Sequence, residues 1–485
     1  MDYKYLAGWI PRCRTRQSVV PPMLSFPARH GDCVRCAGLA AATGSSDGFE
    51  LIKAMTTPDV ASPHSVSTDS DHAVTLDEVI TTIIMARVTE FFGFFVYGIA
   101  SVLVFPRVFF PGFDPVTGTM LSFLVFSLAF LVRPGASLFA RQVDRRMGRV
   151  AKVVLALFIF GAATLSIGLL PSYEAIGVAA PLLLIILRIG QGIGQGMSWD
   201  GLPLKLQHEA PRGRKNWYAM LPQLGGPLGF ITAAAIYYVL TGFLTEEEFI
   251  KWGWRFPFFA VLAVNVVSLF ARVRLINSTF SEQNSFRSAP LQELIEKQWQ
   301  PILRSTFIPL TSYALFHLVT IFPLGYIILY QQRPIEDILL MQMIGGVVAI
   351  ATMLFAGTLA DRIGRRRLMM VQLLFVALFS LAVSTLETNS GWFIIVGFAL
   401  FGLGYGQAAA ITPGRFLPEF QYSGSALATN LSWIFGAAFA PLAALAFTNT
   451  LGLWSVAIYL LSGVVVSVIS LVAVGRDKMH GKQAG

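Results

Sequence analysis

The chain has 485 residues, of which 55% are apolar and only 13% are charged. Soluble globular proteins carry about 25% charged residues, so this composition excludes a soluble globular domain, a disordered chain and a collagen-like repeat. It favours an all-helical protein that crosses a membrane many times. The net charge of +9 comes from short clusters of Lys and Arg between apolar runs, which is typical of membrane topology signals rather than of nucleic-acid binding.

Residues 1–79 are polar and rich in Pro, Ser, Gly and Arg, and they contain no apolar core of signal-peptide length. We expect a disordered cytoplasmic extension here, with Met55 as an alternative start of the natural chain. All three cysteines, Cys13, Cys33 and Cys36, lie in this extension. Cys33 and Cys36 form a single C-x-x-C without a second ligand pair, so we predict no metal site and no cofactor.

Twelve apolar runs follow, each about the 20 residues that a membrane-crossing helix needs. They lie near 80–105, 117–140, 152–170, 180–203, 217–243, 254–274, 306–330, 336–359, 367–386, 391–412, 423–447 and 452–474. We therefore expect a six-helix bundle over 80–275, a linker over 276–305, a second six-helix bundle over 306–475 and a cytoplasmic tail over 476–485. The linker contains a short amphipathic helix, at 290–299, that suits a membrane surface.

The basic residues predict the orientation of these helices. In the loops and the tail, 22 Lys and Arg residues lie on one side of the helices, against 4 on the other, namely Arg107, Lys251, Arg255 and Arg333. Because basic loops remain in the cytoplasm, both termini are expected on the cytoplasmic side of a cell (inner or plasma) membrane.

A basic motif recurs in the two halves, after the second helix at 139–149 (FARQVDRRMGR) and after the eighth at 357–366 (GTLADRIGRR). Equivalent loops in two six-helix halves are typical of a transporter built from parallel repeats. The second loop matches the G-x-x-x-D-R-x-G-R-R signature of the major facilitator superfamily. Four further segments resemble the metabolite:proton symporter family, those at 104–134, 167–192, 222–229 and 252–258.

This resemblance covers nearly the whole chain from residue 83. It implies the major facilitator fold and proton-coupled uptake of osmolytes, organic acids, 2-oxo acids or aromatic acids. Two carboxylates that are usual in the family are absent, since Gly93 and Ser198 occupy their positions.

Ionisable residues inside a bilayer cost about 2.5–3.5 kcal/mol each on insertion scales, so they are candidates for function. Arg87 and Glu90 lie three residues apart on one face of the first helix, and Phe94 and Tyr97 continue that face. We predict that Glu90, with Arg87, loads and releases a proton. The alternative is a static ion pair that holds the helix in its bundle.

The fourth helix carries Arg188, which is expected to bind substrate. A guanidinium binds a carboxylate through two parallel hydrogen bonds, and two amides share the face of this Arg. The alternative is an ion pair of Arg188 with Glu90 or another acid. The predicted substrate-binding residues are Arg188, Gln191, Gln195, Tyr97, Trp199, Tyr405 and Asn430. His317, in the seventh helix, is interpreted as a packing residue.

The repeated basic loops are predicted to form a cytoplasmic gate, in which Asp361 accepts hydrogen bonds from donors in its own loop. The alternative is that their Arg residues are topology charges only. The predicted gate residues are Asp144, Arg145, Arg149, Asp200, Gly357, Asp361, Arg362, Gly364, Arg365 and Arg366. Glycines four residues apart predict close helix contacts, at Gly192 and Gly196, Gly225 and Gly229, and Gly402 and Gly406.

Together these patterns predict a secondary active transporter that moves a small organic acid or osmolyte with protons by alternating access. An exporter of the same fold and a non-transporting membrane sensor or scaffold are the alternatives. An enzyme is not expected, because no nucleophile–base pair, metal-ligand cluster or phosphate loop is present. The expected partners are a small-molecule substrate, protons and the lipid bilayer, without nucleic acid, and the chain is expected to act as a monomer.

Overall fold

The computed structural model describes residues 76–199, 202–276, 289–410 and 413–480, and the regular elements within these ranges are helices. Ten helical segments of this part of the chain are long and apolar enough to cross a membrane. One of them, Pro115–Leu169, has 55 residues and is broken at Gly148. At 1.5 Å per residue it is more than twice the thickness of a bilayer core, so it supplies two crossings. Arg365–Ser380, with 16 residues, supplies a twelfth.

We number the crossings in chain order as spans 1 to 12. They are Leu76–Leu103 (span 1), the two arms of Pro115–Leu169 (spans 2 and 3), Ala179–Met197 (span 4), Lys215–Phe243 (span 5), Gly253–Ile276 (span 6), Leu291–Gln331 (span 7), Ile335–Ile363 (span 8), Arg365–Ser380 (span 9), Ser390–Ala410 (span 10), Pro418–Leu451 (span 11) and Trp454–His480 (span 12). Short helices at Phe105–Val108, Tyr173–Ile176, Leu202–Glu209, Glu246–Lys251 and Thr385–Thr388 lie between them.

These crossings correspond to the twelve apolar runs, with two differences of extent. Span 1 begins at Leu76, within the stretch predicted to be disordered, and the earlier residues lie outside the described part of the chain. The amphipathic helix of the linker runs over Leu291–Phe307, with a break at Gln298, and forms the first part of the segment Leu291–Gln331 that contains span 7.

Gly148 and Gly364 explain the glycine of the repeated motif. Each lies between two consecutive crossings and has a positive φ, 86° at Gly148 and 88° at Gly364. Residues with a Cβ rarely adopt this backbone conformation, so the glycine permits the same sharp change of direction in both halves. We call the end of the bundles where these two loops lie the basic end.

The predicted glycine pairs lie where spans touch. A Cβ added to Gly196 of span 4 would lie 2.6 Å from the carbonyl oxygen of Arg133 in span 2, and one added to Gly229 of span 5 would lie 2.7 Å from the amide nitrogen of Phe92 in span 1. Gly402 of span 10 meets the carbonyl oxygen of Ala349 in span 8 in the same way. Small residues therefore let these helices approach to backbone contact.

Asp361 joins the two bundles at the basic end. Its carboxylate accepts the backbone N–H groups of Asn216 (2.9 Å) and Trp217 (3.3 Å) in the first turn of span 5, and the Asn216 side chain donates to the carbonyl of Ala360. A carboxylate at a helix N-terminus satisfies free amides and interacts favourably with the helix dipole. Gly357, one turn earlier, gives span 5 room to approach. The donors thus lie in the other bundle, and the prediction that they belong to the loop of Asp361 itself was wrong.

Near the basic loop of the first half, different residues connect the two bundles. Asp144 makes no hydrogen bond to the residues described and borders a cleft that Lys152, Trp199 and Tyr422 also line. The buried Lys152 donates to the carbonyl of Trp199 (2.8 Å) and to the hydroxyl of Tyr422 in span 11 (3.2 Å). A buried lysine therefore connects the two bundles here, although Lys152 is one of the 22 basic residues that we assigned to the loops and the tail from the sequence.

The other predicted gate residues differ in how far they are exposed. Arg145, Arg362 and Arg366 are exposed, and Arg149 is half-buried. Arg365 donates through Nε to the amide oxygen of Gln407, 3.3 Å away. Asp200 lies outside the described residues.

The glycine contacts predict the outcome of one matched pair of substitutions. Gly229→Ala places a methyl group against the backbone of span 1, which cannot move aside as a flexible side chain does, so we expect it to destabilise the fold by about 1–3 kcal/mol. Gly242→Ala, in the same span, meets no atom within 4 Å and should be neutral or stabilising, because Ala favours helix over Gly. Thermal unfolding of the purified protein in detergent, followed by Trp fluorescence, measures both. Equal melting temperatures would contradict the close contact of spans 1 and 5.

Asp361→Asn should weaken the contact between the bundles by about 1 kcal/mol, because it removes the charge that faces the helix dipole. Spin labels at Arg212 and Arg366, in a background without the three native cysteines, report the separation of the bundles at the basic end by pulsed electron paramagnetic resonance. We expect a greater population of long distances than in the parent protein. Glu419→Gln, which removes an exposed acid at the same end, is the control. A distance distribution unchanged by Asp361→Asn would show that this contact does not hold the bundles together.

Candidate transport site

A polar cleft lies between the two bundles in the half of the molecule nearer the basic end. It encloses about 630 Å³ of empty space, including the open space at its mouth. Spans 1, 2, 4 and 6 of the first bundle and span 11 of the second supply most of its lining. The lining residues that bear on function are Arg87, Glu90, Arg133, Gln195, Trp199, Arg272, Asn430 and Trp433.

Arg87 and Glu90 form an ion pair at one side of the cleft. The Arg87 Nη1 atom lies 2.9 Å from Oε2 of Glu90, and each side chain keeps less than a fifth of its surface exposed. The two residues share a helix face at i and i+3, as the sequence indicated, and their polar ends reach the same space.

Arg133, near the basic end of span 2, is the second cation of the cleft and is 7% exposed. It donates through Nη2 to the amide oxygen of Gln195 in span 4. Its guanidinium also lies 4.8 Å from the ring centroid of Phe130 and 5.9 Å from that of Trp433 in span 11. Cation–π contacts and one neutral acceptor therefore hold it, and it forms no ion pair with the described residues.

Arg272 of span 6 is the third cation and is 2% exposed. Its Nη2 atom donates to the carbonyl of Ala86 in span 1 (3.0 Å), whereas Nε and Nη1 have no hydrogen-bond partner among the described residues. Arg272 and Glu90 line the same two clefts. A buried guanidinium with open donors beside a cavity is suited to an anionic ligand.

The charges of the cleft do not balance. Arg87, Arg133 and Arg272 face a single carboxylate, that of Glu90. Removing charged groups from water is costly unless they are paired, and the described residues supply no second acid to this cleft. An incoming anion would meet two guanidiniums, those of Arg133 and Arg272, that have no carboxylate partner in the part of the chain that the structure describes.

Arg188 does not line the cleft, although the sequence predicts it as the main substrate ligand. It is fully buried. Its Nε and Nη2 atoms donate to the carbonyl of Phe126, and Nη1 donates to Gln191 at 2.8 Å. The ring of Tyr97 stacks over its guanidinium at 3.8 Å. The alternative partner, Glu90, pairs with Arg87 instead.

The remaining predicted substrate ligands fall into two groups. Gln195, Trp199 and Asn430 line the cleft, whereas Gln191, Tyr97 and Tyr405 are not part of its lining. Gln191 donates to Thr164 of span 3 and so belongs to the surroundings of Arg188. Arg188, Gln191, Gln195 and Trp199 are spaced along the sequence as one helix face. In the structure Gln195 and Trp199 line the cleft, whereas Arg188 and Gln191 lie outside its lining.

The sequence did not identify Arg272 and Arg133 as residues of the cleft. Arg272 lies near the end of the sixth apolar run and was counted among the topology charges, and Arg133 entered only as part of a family motif. Their position in the sequence could have indicated that they are buried, because both lie within or at the edge of an apolar run. Arg133 is followed by Pro134, and Arg272 is followed by further apolar residues. Lys152 likewise lies at the edge of an apolar run.

A wall of aromatic side chains closes the inner end of the cleft. Trp433 lines the cleft, Phe94 lines a smaller adjoining cavity together with Trp433, and Phe130 stacks on Trp433 with ring centroids 6.0 Å apart. Behind them Phe95 of span 1 packs edge-on against Phe316 of span 7, at 5.0 Å, and both rings are fully buried. We call this group of rings the aromatic layer. It separates the cleft from Arg188.

Comparison with known proteins gives consistent relationships over nearly the whole membrane part. The profile of the Major Facilitator Superfamily matches residues 218–429, and that of the sugar (and other) transporters matches 79–288. The chain is 34% identical over 411 residues to the inner membrane metabolite transport protein YhjE of Escherichia coli K12, covering 81% of this chain and 93% of that protein.

Two further relatives have named substrates. The shikimate transporter of Escherichia coli K12 is 30% identical, with 79% of this chain and 91% of that protein covered. The proline/betaine transporter of Salmonella typhimurium is 28% identical, with 82% of each covered.

Among solved structures, the chain resembles that of a D-xylose-proton symporter, with a TM-score of 0.63 at 15% sequence identity. The match covers 81% of this chain and 96% of that chain, and it confirms the predicted fold of twelve membrane-spanning helices in two six-helix bundles. The chain therefore belongs to the major facilitator superfamily, as a multi-pass membrane protein among its secondary transporters of metabolites.

Proposed function

We propose that the protein carries a small organic acid into the cell together with a proton, by alternating access to the cleft between its bundles. The observation that carries this proposal is the charge of the cleft, in which three guanidiniums face one carboxylate. A substrate with a carboxylate restores the balance, whereas a neutral sugar or polyol leaves it unchanged. The shikimate transporter among the relatives supports this class of substrate.

Arg133 and Arg272 are the ligands for the substrate's carboxylate. Arg133 is held by the neutral amide of Gln195, which a carboxylate replaces with a stronger charge-assisted acceptor. Arg272 has two open donors. Trp433 borders the same space and offers an apolar face to the carbon skeleton of the substrate.

Glu90 couples the proton to the anion. While it is ionised, Glu90 neutralises Arg87 through their 2.9 Å contact. Protonation removes that negative charge and makes the cleft more positive by one unit, so an anion binds more tightly. Because linkage is reciprocal, a bound anion also favours protonation of Glu90. Proton and substrate therefore enter and leave together.

The basic end faces the cytoplasm in this proposal, because it carries most of the basic loops. The cleft lies nearest that end, so substrate leaves it inward once the contacts of Asp361 and Lys152 between the bundles open. The relative named as an inner membrane protein supports a location in the cell membrane. Each chain encloses its own cleft, so we propose that it works as a monomer.

Glu90→Gln should abolish uphill uptake and preserve exchange. The amide cannot carry a proton, so accumulation driven by an imposed pH gradient should fall at least about tenfold, as expected when a membrane carboxylate that relays protons is removed. Counterflow exchange of labelled substrate in proteoliposomes needs no net proton movement and should continue. Glu174→Gln, at an exposed acid, is the control and should behave as wild type. Uphill uptake that survives Glu90→Gln would exclude Glu90 as the proton carrier.

Arg133→Lys should raise the KM for a carboxylate substrate by about tenfold or more, since a charged hydrogen bond contributes about 1.5–3 kcal/mol and 1.4 kcal/mol is a factor of ten. Lysine keeps the charge and loses the bidentate geometry. Initial rates of uptake across a panel of carboxylates measure the change. Arg107→Lys, at an exposed ion pair far from the cleft, is the matched control. A KM that Arg133→Lys leaves unchanged would show that this guanidinium does not bind the substrate.

A further inference from the structure

His317 of span 7 lies in the centre of the molecule without a hydrogen-bond partner. It is fully buried, and neither ring nitrogen is bonded to any described residue. The hydroxyl of Tyr97 in span 1 is likewise buried and unbonded. A buried polar group without a partner costs about 1–3 kcal/mol, and such groups are rare in folded proteins. Two of them in one region indicate a partner that is absent from this state.

His317 lies directly behind the wall of the cleft. The centroid of its ring is 5.5 Å from that of Phe94 and 6.3 Å from that of Trp433; Trp433 lines the cleft and Phe94 lines the smaller cavity that adjoins it. Phe126 and Phe130 of span 2 also contact it, at 5.6 and 6.2 Å. The imidazole thus lies within the aromatic layer and is the ring there that can both donate and accept a hydrogen bond through nitrogen.

Two guanidiniums contact the rings that surround His317. Arg133 lies over Phe130 and Trp433, at 4.8 and 5.9 Å. Arg188 lies over Phe126 and Phe94, at 4.9 and 5.7 Å. One layer of rings therefore separates the imidazole from each cation.

Arg188 is a buried cation that is held only by neutral acceptors among the described residues, as is typical of a residue that binds an anion in another state. Its donors go to the carbonyl of Phe126 and to the amide of Gln191, and no acid pairs with it among the described residues. Neutral acceptors hold a guanidinium less strongly than a carboxylate does, so a carboxylate that reached Arg188 would displace them. The unbonded hydroxyl of Tyr97 belongs to the ring that covers Arg188 at 3.8 Å.

We propose that His317, Arg188 and Tyr97 form a second site for the substrate's carboxylate, which is occupied in the state that opens away from the basic end. This inference rests on the proposed transport of organic acids. The imidazole N–H and the Tyr97 hydroxyl donate to the carboxylate, and Arg188 pairs with it. When the rings of the aromatic layer part, the anion passes from this site to Arg133 and Arg272.

Two substitutions at His317 separate recognition from packing. His317→Phe keeps an aromatic ring among its neighbours and removes both nitrogens, whereas His317→Gln restores a donor. KM is measured on the full-length protein for uptake into intact cells, where substrate enters from outside, and for uptake into everted vesicles, where it meets the cleft at the basic end. The probe is whichever of shikimate, benzoate, succinate and 2-oxoglutarate the wild-type protein transports with the lowest KM.

We expect His317→Phe to raise the KM in cells by about tenfold and to leave the KM in everted vesicles within about twofold, since one lost hydrogen bond to an anion corresponds to about this factor. His317→Gln should lie between Phe and wild type. An unchanged KM in cells, or a loss of maximal rate that is equal from both sides and is not rescued by Gln, would overturn the proposal and make His317 a packing residue. Failure of the wild-type protein to transport any of the four probes would instead contradict the proposed carriage of organic acids, and this inference with it.

Discussion

Among the described residues, three guanidinium groups share one carboxylate in the cleft between the two bundles, and the proposed transport of an anion with a proton follows from this imbalance. A charge inside a membrane protein is costly unless a partner meets it. Arg87 has such a partner in Glu90, whereas Arg133 and Arg272 have only neutral acceptors among the described residues. This part of the chain therefore leaves the positive charge of the cleft unbalanced, and in the proposed function a small anion balances it.

The excess of positive charge in the cleft also explains how binding of a proton can strengthen binding of an anion without direct contact between the two. The charge on Glu90 decides whether Arg87 adds to the positive field of the cleft, and that field acts on the substrate. Electrostatic linkage of this kind needs proximity and a low dielectric constant rather than a direct hydrogen bond. It also allows a single membrane carboxylate to serve, although the sequence lacks two acids that are usual among related symporters.

The contacts between the bundles show what must change for the cleft to open on either side. At the basic end one half of the repeat is closed by Asp361 on the first turn of span 5, and the other by Lys152 with Tyr422. Toward the opposite end the aromatic layer fills the centre. Polar contacts are easily exchanged for water, whereas stacked rings must slide or rotate, so the two barriers are different in kind.

The sequence predicted the features that depend on composition and local spacing. Twelve crossings follow from apolar runs, and the approach of Arg87 to Glu90 follows from helical geometry. The two loop glycines follow from the repeated motif, and the structure supplies the reason in their positive φ angles.

The features that depend on tertiary packing were not predictable. A helical face points toward a cavity or toward a neighbouring helix, and the sequence does not distinguish the two, so Arg188 was taken for a cleft residue. Arg272 and Lys152 lie near the ends of apolar runs and look like loop charges until the neighbouring spans are seen to cover them. The donors to Asp361 lie about 145 residues away in the chain, and no local pattern connects them.

Paired ligands that differ only in charge show whether the cleft selects an anion. A carboxylate and its primary amide, such as benzoate and benzamide or shikimate and its amide, have nearly the same size and shape. Their inhibition of labelled carboxylate exchange in proteoliposomes compares their affinities for the cleft. We expect the carboxylate to bind at least about tenfold more tightly, as one charge-assisted interaction requires. Equal inhibition by acid and amide would show that the guanidiniums of the cleft do not select an anion, and would contradict the account.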